Sequence, residues 1–214
     1  MSHQTVHNWI SRYVKLMKEY LDKVTPQVSD TWRADELWVK IKGDMKYLFA
    51  MMDDETRFWI AQEVSDTKQR HNARQFFYES MKAGGKVPAT LITDGLQSYR
   101  VAFNKVFAWR PDKKPTHVRE ITLTGKIHNN KQERFNGELR DREKVMRSLK
   151  TKDSPVFDGL QLYHNFFRPH MGLDGKTPAE AAGITIEAEN KWETVIRNAA
   201  IGHPPRVDKE DIHR

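Results

Sequence analysis

The chain has 214 residues, with 36 Lys plus Arg against 29 Asp plus Glu, a net charge of +7 and a pI of about 9.5. That length supports one core domain with appendages or two small domains, and the basic excess favours an anionic partner, nucleic acid ahead of membrane. Cysteine is absent, which excludes disulfides and Cys-ligated zinc; no apolar run approaches a membrane span and no signal-peptide pattern opens the chain, so the expectation is a soluble intracellular protein.

Residues 2–24 place Val6, Trp9, Ile10, Tyr13, Met17, Leu21 and Val24 on one helical stripe, which predicts a helix. Its polar start, with Ser2, His3, Gln4, His7 and Asn8, has the character of the base-reading end of a helix-turn-helix recognition helix, which needs two preceding helices to brace it. No such helices precede it here, so it is either part of a longer protein or an amphipathic lead-in. Thr25-Pro26 breaks the pattern, and the polar stretch to Asp30 reads as a flexible linker.

From Trp32 the period changes. Residues 37–43, 46–52 and 56–64 are β-rich runs separated by Gly43-Asp44 and Asp53-Asp54-Glu55, the pattern of a three-stranded antiparallel meander. Asp66-Thr67 starts a helix through about Met81, with Ala73, Phe76, Phe77 and Met81 buried and Gly84-Gly85 as its stop. A short apolar strand over 88–93 ends at Asp94-Gly95, followed by a helix over 97–107 and a strand over 116–120. With the helix after Asn130, the order β-β-β-α-β-α-β-α predicts an α/β fold, a mixed sheet flanked by helices.

The stretch 125–152, GKIHNNKQERFNGELRDREKVMRSLKTK, holds much of the basic surplus: from Lys126 to Lys152 there are nine cations and four anions. As a helix from Asn130 it aligns Phe135, Leu139, Arg142, Met146 and Leu149 on a packing stripe. Glu133, Arg140, Lys144 and Arg147 fall within a narrow sector of the other side. Two readings stand at this point. One is a solvated helix with Asn130 as N-cap and Glu133 completing a capping box. The other is a carboxylate that holds a metal ion above a row of cations that hold nucleic-acid phosphates. Beyond it, 156–167 reads as a helix ended by Arg168-Pro169-His170, Thr177-Pro178 as the capped start of a short helix, and about 187–199 as a last helix before a polar tail.

Two other carboxylates occupy positions suited to chemistry. Asp94 stands at the carboxyl end of a buried strand, where side chains project into a crevice; the alternative is a strand-end Asp capping the next helix. Asp35 shares parity with Leu37, Val39 and Ile41, so it lies on an apolar sheet face and needs a partner, while its neighbour Glu36 points to the opposite face. Asp44, Asp53, Asp54 and Asp66 have ordinary roles in turns or at a helix start. Trp9, Trp32, Trp38, Trp59, Trp109 and Trp192 sit within apolar patterns and read as core or interface, and His128 as a surface residue.

WRADELWVKIKG, AMMDDETRFWIAQEVSDT, LITDGLQSY, HNNKQERFNGELRDREKVMRSL and YHNFFRPHMGLDGKTPAEAAGI, in this order, resemble the successive blocks of prokaryotic insertion-sequence transposases of the DDE class, relatives of retroviral integrases with a ribonuclease-H-like fold. The resemblance runs from about Asp30 to Gly183 and implies three parts: 1–29, a partial helix-turn-helix and linker; 30–183, the catalytic core with a five-stranded sheet; and 184–214, a C-terminal helix and tail. Thirty-eight residues separate Asp94 from Glu133, close to integrase spacing. The resemblance implies a catalytic, metal-binding triad of Asp35, Asp94 and Glu133 holding two Mg²⁺ (or Mn²⁺). It also implies phosphate contacts from Arg140, Lys144 and Arg147, and Arg168 and His170 as turn-fixing residues. Base contacts would come from His3, Gln4 and His7 at the start of the first helix. The implied partner is DNA, at element ends and target, bound by a homodimer or higher oligomer in the prokaryotic cytoplasm or nucleoid, with no membrane. The competing readings are another nuclease of the same fold and a non-catalytic DNA-binding descendant of a transposase.

Overall fold

A computed structural model describes residues 1–107, 114–120, 130–145, 149, 151–152 and 154–202. Trp109, His128 and Arg147 lie outside the described residues. The chain divides into two compact units, Met1–Gln27 with Asp153–Arg214, and Val28–Lys152. Compactness thus groups the first helix with the carboxyl-terminal helices, a different grouping from the three consecutive parts drawn by family blocks.

The second unit is built on β1 (Thr31–Ile41), whose odd-numbered Leu37, Val39 and Ile41 are at most 4% exposed. Lys42 and Gly43 both take positive φ, 53° and 93°, the conformation that closes a two-residue hairpin without splaying its strands. β2 (Asp44–Asp53) therefore returns antiparallel, with Ile41 opposite Asp44 and Asp35 opposite Ala50. β3 (Trp59–Ser65) pairs antiparallel with β2. On the other edge of β1, β4 (Thr90–Asp94) runs parallel from Thr31↔Thr90 to Ala34↔Thr93, and β5 (Thr116–Glu120) runs parallel to β4. The sheet is mixed and five-stranded, as expected from the sequence, and its strand order is β3-β2-β1-β4-β5. β4 stops at Asp94 while β1 continues to Ile41, so β1 runs on past the end of β4 from beside Asp35.

One face is covered by α2 (Arg70–Gly84) and α3 (Gln97–Phe107). Phe49, Phe76, Phe77, Tyr99, Phe103 and Phe107, all at most 3% exposed, form an aromatic layer there, with Phe77 stacked on Tyr99 at 5.8 Å. The predicted start of α2 at Asp66 is corrected: Gln69 is the N-cap, and Asp66 instead binds Lys46 at 2.5 Å and also pairs with Lys152. At the other end of α2, a Cβ on Gly84 would lie 2.5 Å from the Trp32 ring, which is itself 1% exposed. Gly84→Ala must displace either the helix end or the indole, so we expect a loss of about 1–3 kcal/mol in chemical denaturation; an unchanged midpoint would show that the contact is easily relieved.

The opposite face carries α4 (Asn130–Val145), anchored by the Trp59–Phe135 edge contact at 4.7 Å and by buried Leu139. The expectation that its stripe continues to Leu149 is corrected. Leu149 is not on α4: it makes an isolated parallel bridge with Ile41, and its carbonyl accepts from the Lys42 N–H at 2.9 Å. The cause is the open edge of β1 beyond β4, whose backbone groups need partners. Asp53 and Asp54 are structural: Asp53 accepts from Ser29 and Thr56, and Asp54 pairs with Arg33 at 2.5 Å.

In the first unit, α1 (His3–Leu21) packs on α5 (Pro155–Leu162) and α7 (Lys191–Ile201). Its second half supplies the contact: Val14, Met17, Tyr20 and Leu21 are at most 8% exposed, and Lys18 reaches Gln161 at 3.3 Å. Its first half leaves Val6, Trp9, Ile10 and Tyr13 exposed. The expected flexible tether after α1 is also corrected, because Val24 and Pro26 are buried and the Gln27 N–H donates to Ala182 at 2.9 Å. After a π turn, Tyr163–Phe167, Thr177 and Glu180 close the predicted cap of α6 (Pro178–Ala181) as a full capping box. Trp32 and Trp59 are core residues as read, but Trp9, Trp38 and Trp192 are 48%, 47% and 41% exposed. Trp38 leans on its cross-strand neighbour Tyr47, and Trp192 stacks on Phe167.

Candidate active site

The parallel register that ends at Ala34↔Thr93 sets the next residues, Asp35 and Asp94, side by side. Each is held by its own local bonds. Asp94 accepts from the Leu96 N–H at 3.0 Å at the entry to α3, and Thr93 bonds His117 at 2.9 Å, fastening the end of β4 to β5. His117 stacks on Phe103 at 4.4 Å, and burial with Arg119 nearby lowers its pKa to about 4, so it stays neutral. Asp35 accepts from the Glu36 N–H at 2.9 Å and from the Asn136 side chain of α4 at 2.6 Å. That Asn136 is the partner a carboxylate on the apolar face requires.

Glu36 joins them. Its side chain serves the α2–α3 face, near Lys68 and Tyr99, as strand alternation dictates, but β4 has ended one residue earlier and no longer separates the two faces. Carboxylate oxygens of Asp35, Glu36 and Asp94 lie within 4.8 Å of one another. Burial, then the charge of Asp94, raises the Asp35 pKa to about 6 against the opposing pull of Glu36 N–H, Asn136 and Arg140. Burial, Asp94 and Asp35 raise Glu36 to about 7, with Lys68 opposing. Three crowded hard oxygen donors whose repulsion a cation relieves fit a divalent metal of the Mg²⁺ class.

Glu133 is placed on α4 one turn before Asn136; it is exposed and, among the described residues, stands outside this three-carboxylate group. Arg140 is exposed one turn after Asn136, and its charge acts on Asp35. Glu133, Asn136 and Arg140 thus share the side of α4 that addresses Asp35. Lys144 is exposed and pairs with Asp141 at 3.1 Å. His3, Gln4 and His7 are exposed on the first turns of α1, where Ser2 caps the helix and Gln4 donates to Asn8 at 2.8 Å. Sequence reasoning missed Glu36 and Asn136. The one available signal was position, Glu36 beside Asp35 and Asn136 three residues after Glu133.

The DDE domain of IS240-type transposases matches residues 29–170. The transposase for insertion sequence-like element IS431mec of Staphylococcus aureus strain Mu50 is 29% identical over 193 residues, covering 86% of this chain and 80% of that protein. The Staphylococcus aureus transposase for IS257 in transposon Tn4003 matches to the same extent, 29% over 193 residues. Among solved structures, the HTLV-2 integrase catalytic core domain in complex with magnesium superposes with a TM-score of 0.53 at 14% identity, over 72% of this chain and 95% of that one. The BIV integrase catalytic core gives 0.54 at 13% identity, over 72% and 93%. These two likenesses are of fold, the integrase-like core that the sheet order also describes. With the DDE domain matched across the sheet, both strand-borne aspartates and α4, the chain belongs to the DDE transposases of insertion sequences.

Proposed function

We propose that this transposase cuts DNA at the ends of its element and joins the freed 3′-hydroxyl to target DNA, using Asp35, Asp94 and Glu133 around two Mg²⁺ or Mn²⁺ ions. The observation that carries the reading is the pairing of Asp35 with Asp94 on two rigid parallel strands at an open sheet end. In the first step a water oxygen bonds to phosphorus and the bond to the 3′ oxygen breaks, leaving a 3′-hydroxyl on the element and a 5′-phosphate on the flank. In the second, that hydroxyl bonds to a target phosphorus and a target 3′ oxygen leaves, so one phosphodiester replaces another without a covalent enzyme intermediate. When bound, the metal ions supply Lewis acidity at the phosphoryl oxygens and lower the pKa of the attacking hydroxyl.

The chain's own residues do the positioning. Asn136 fixes the Asp35 carboxylate, and the local bond to Leu96 N–H fixes Asp94. Glu133 lies on the side of α4 that addresses Asp35, so closing one helical turn's distance brings a third carboxylate to the same point. Arg140, Lys144 and Arg147 contact phosphates and set where the strand lies, whereas His3, Gln4 and His7 contact bases. Joining two element ends to one target calls for two such sites, hence a homodimer or larger assembly on DNA. No helix among the described residues is long and apolar enough to cross a membrane.

The test is a strand-transfer assay with a labelled duplex of the element end and a supercoiled target. Joined product is expected with Mg²⁺ or Mn²⁺ and none in excess EDTA. Hydrolysis without joining would reduce the protein to a nuclease, and joining in the chelator would remove the metal from the mechanism.

A further inference from the structure

We propose that Glu36 is itself a metal ligand, a carboxylate of the centre in addition to the Asp35, Asp94 and Glu133 set; this rests on the metal-dependent reading above. The Glu36 side chain is only 7% exposed, yet its Oε2 has no hydrogen-bond partner. A buried carboxylate oxygen without a donor is costly unless something of positive charge reaches it. The protein groups around it do not meet that need. Lys68 approaches the other oxygen, Oε1, at a loose 3.6 Å and is 40% exposed, its ammonium drawn also toward the Trp38 and Tyr47 rings at 6.0 and 5.6 Å. The Tyr99 hydroxyl, fully buried, interacts with Glu36 and pulls its pKa down, but a neutral hydroxyl brings no positive charge.

Glu36 also offers an oxygen to the pair of aspartates. Ligand oxygens of all three residues lie within 4.8 Å of one another, and oxygens that share one octahedral Mg²⁺ at about 2.1 Å stand about 3.0 Å apart when adjacent and about 4.2 Å apart when opposite. A side-chain adjustment on the order of an ångström therefore brings Glu36 and the two aspartates into a common coordination sphere. Its position follows from β1 and the end of β4 together, because a strand presents consecutive residues to opposite faces and beyond the end of β4 both can reach a common point. The structural alternative is that Glu36 merely anchors Lys68 across the edge of the sheet.

Mn²⁺ binding to the full chain at pH 8, followed by electron paramagnetic resonance of the free ion, separates these. Glu36→Gln is expected to weaken Mn²⁺ binding at least tenfold with no loss of melting temperature in EDTA, and Glu36→Asp to recover part of it. Lys68→Gln, which removes the anchored group and leaves the carboxylate, is expected to leave Mn²⁺ binding unchanged or tighter. Glu36→Gln within twofold of wild type while Asp94→Asn loses the ion would overturn the role of Glu36 and leave the two aspartates standing. Weakened binding in Lys68→Gln would overturn it too, and serves if Glu36→Gln does not fold. Mn²⁺ affinity untouched in both Glu36→Gln and Asp94→Asn would instead remove the metal centre itself, and this proposal with it.

Discussion

Asp94→Asn is expected to lower end cleavage and strand transfer at least about a thousandfold, equivalent to roughly 4 kcal/mol of transition-state stabilisation, while the protein stays folded. The side chain keeps its shape and its bond to Leu96 N–H, but it loses the charge that holds a cation. The same substitution has a stability signature opposite to that of ordinary damage. Asp35 and Glu36 are held at about 6 and 7 in the folded protein, against ordinary values of 3.8 and 4.5, and in both the charge of Asp94 is the second cause after burial. Between those limits the folded state binds more protons than the unfolded one, so stability is full below about pH 4 and falls as pH rises to about 7. Melting temperatures in EDTA should therefore decline across that window in the wild type and more gently in Asp94→Asn. At pH 7.5 added Mg²⁺ should raise the melting temperature of the wild type and leave the variant unmoved. Wild-type cleavage rates in a folded Asp94→Asn protein would refute the assignment.

The parts legible in the sequence were those with local causes. Alternation in β1, a turn at Gly43 and the apolar run before Asp94 each declare themselves within a few residues, and together they brought Asp35 and Asp94 into view; the turn itself is centred one residue earlier than read, on Lys42-Gly43. Glu36 was hidden because its membership depends on register: only the stopping of β4 one residue short of Glu36 lets the two sheet faces meet. Asn136 was hidden because helix periodicity gives a stripe but not its rotation against the sheet, and the observed rotation turns Asn136 onto Asp35. Leu149 matched the α4 stripe by period, yet the unpaired edge of β1 claimed it. The stripe of α1 was read as continuous, whereas the helices packed against it cover only its second half and leave Trp9 and Ile10 exposed. In each case the deciding fact lies between segments far apart in the chain.

That brace on α1 bears on the proposed base contacts of His3, Gln4 and His7. A recognition helix discriminates bases only if something fixes its angle, and here Met17, Tyr20 and Leu21 are locked against α5 and α7 while the first turns stay free. Two sets of substitutions should then separate positioning from reading. Replacing Arg140 and Lys144 with Ala removes up to two phosphate contacts, so affinity should fall alike on every sequence and the salt slope should drop by about 1.8, at about 0.9 per contact. The loss will be smaller if Lys144 stays committed to Asp141, its partner at 3.1 Å. Replacing Gln4 and His7 with Ala should leave the slope in place and instead narrow the preference for the element's terminal repeat over a scrambled duplex. At about 1–3 kcal/mol per base contact, that narrowing is at least about thirtyfold for the pair. Competition binding at several salt concentrations measures both quantities in one experiment. If the α1 pair changes the slope and not the preference, the helix touches only backbone, and sequence recognition must come from elsewhere on the protein.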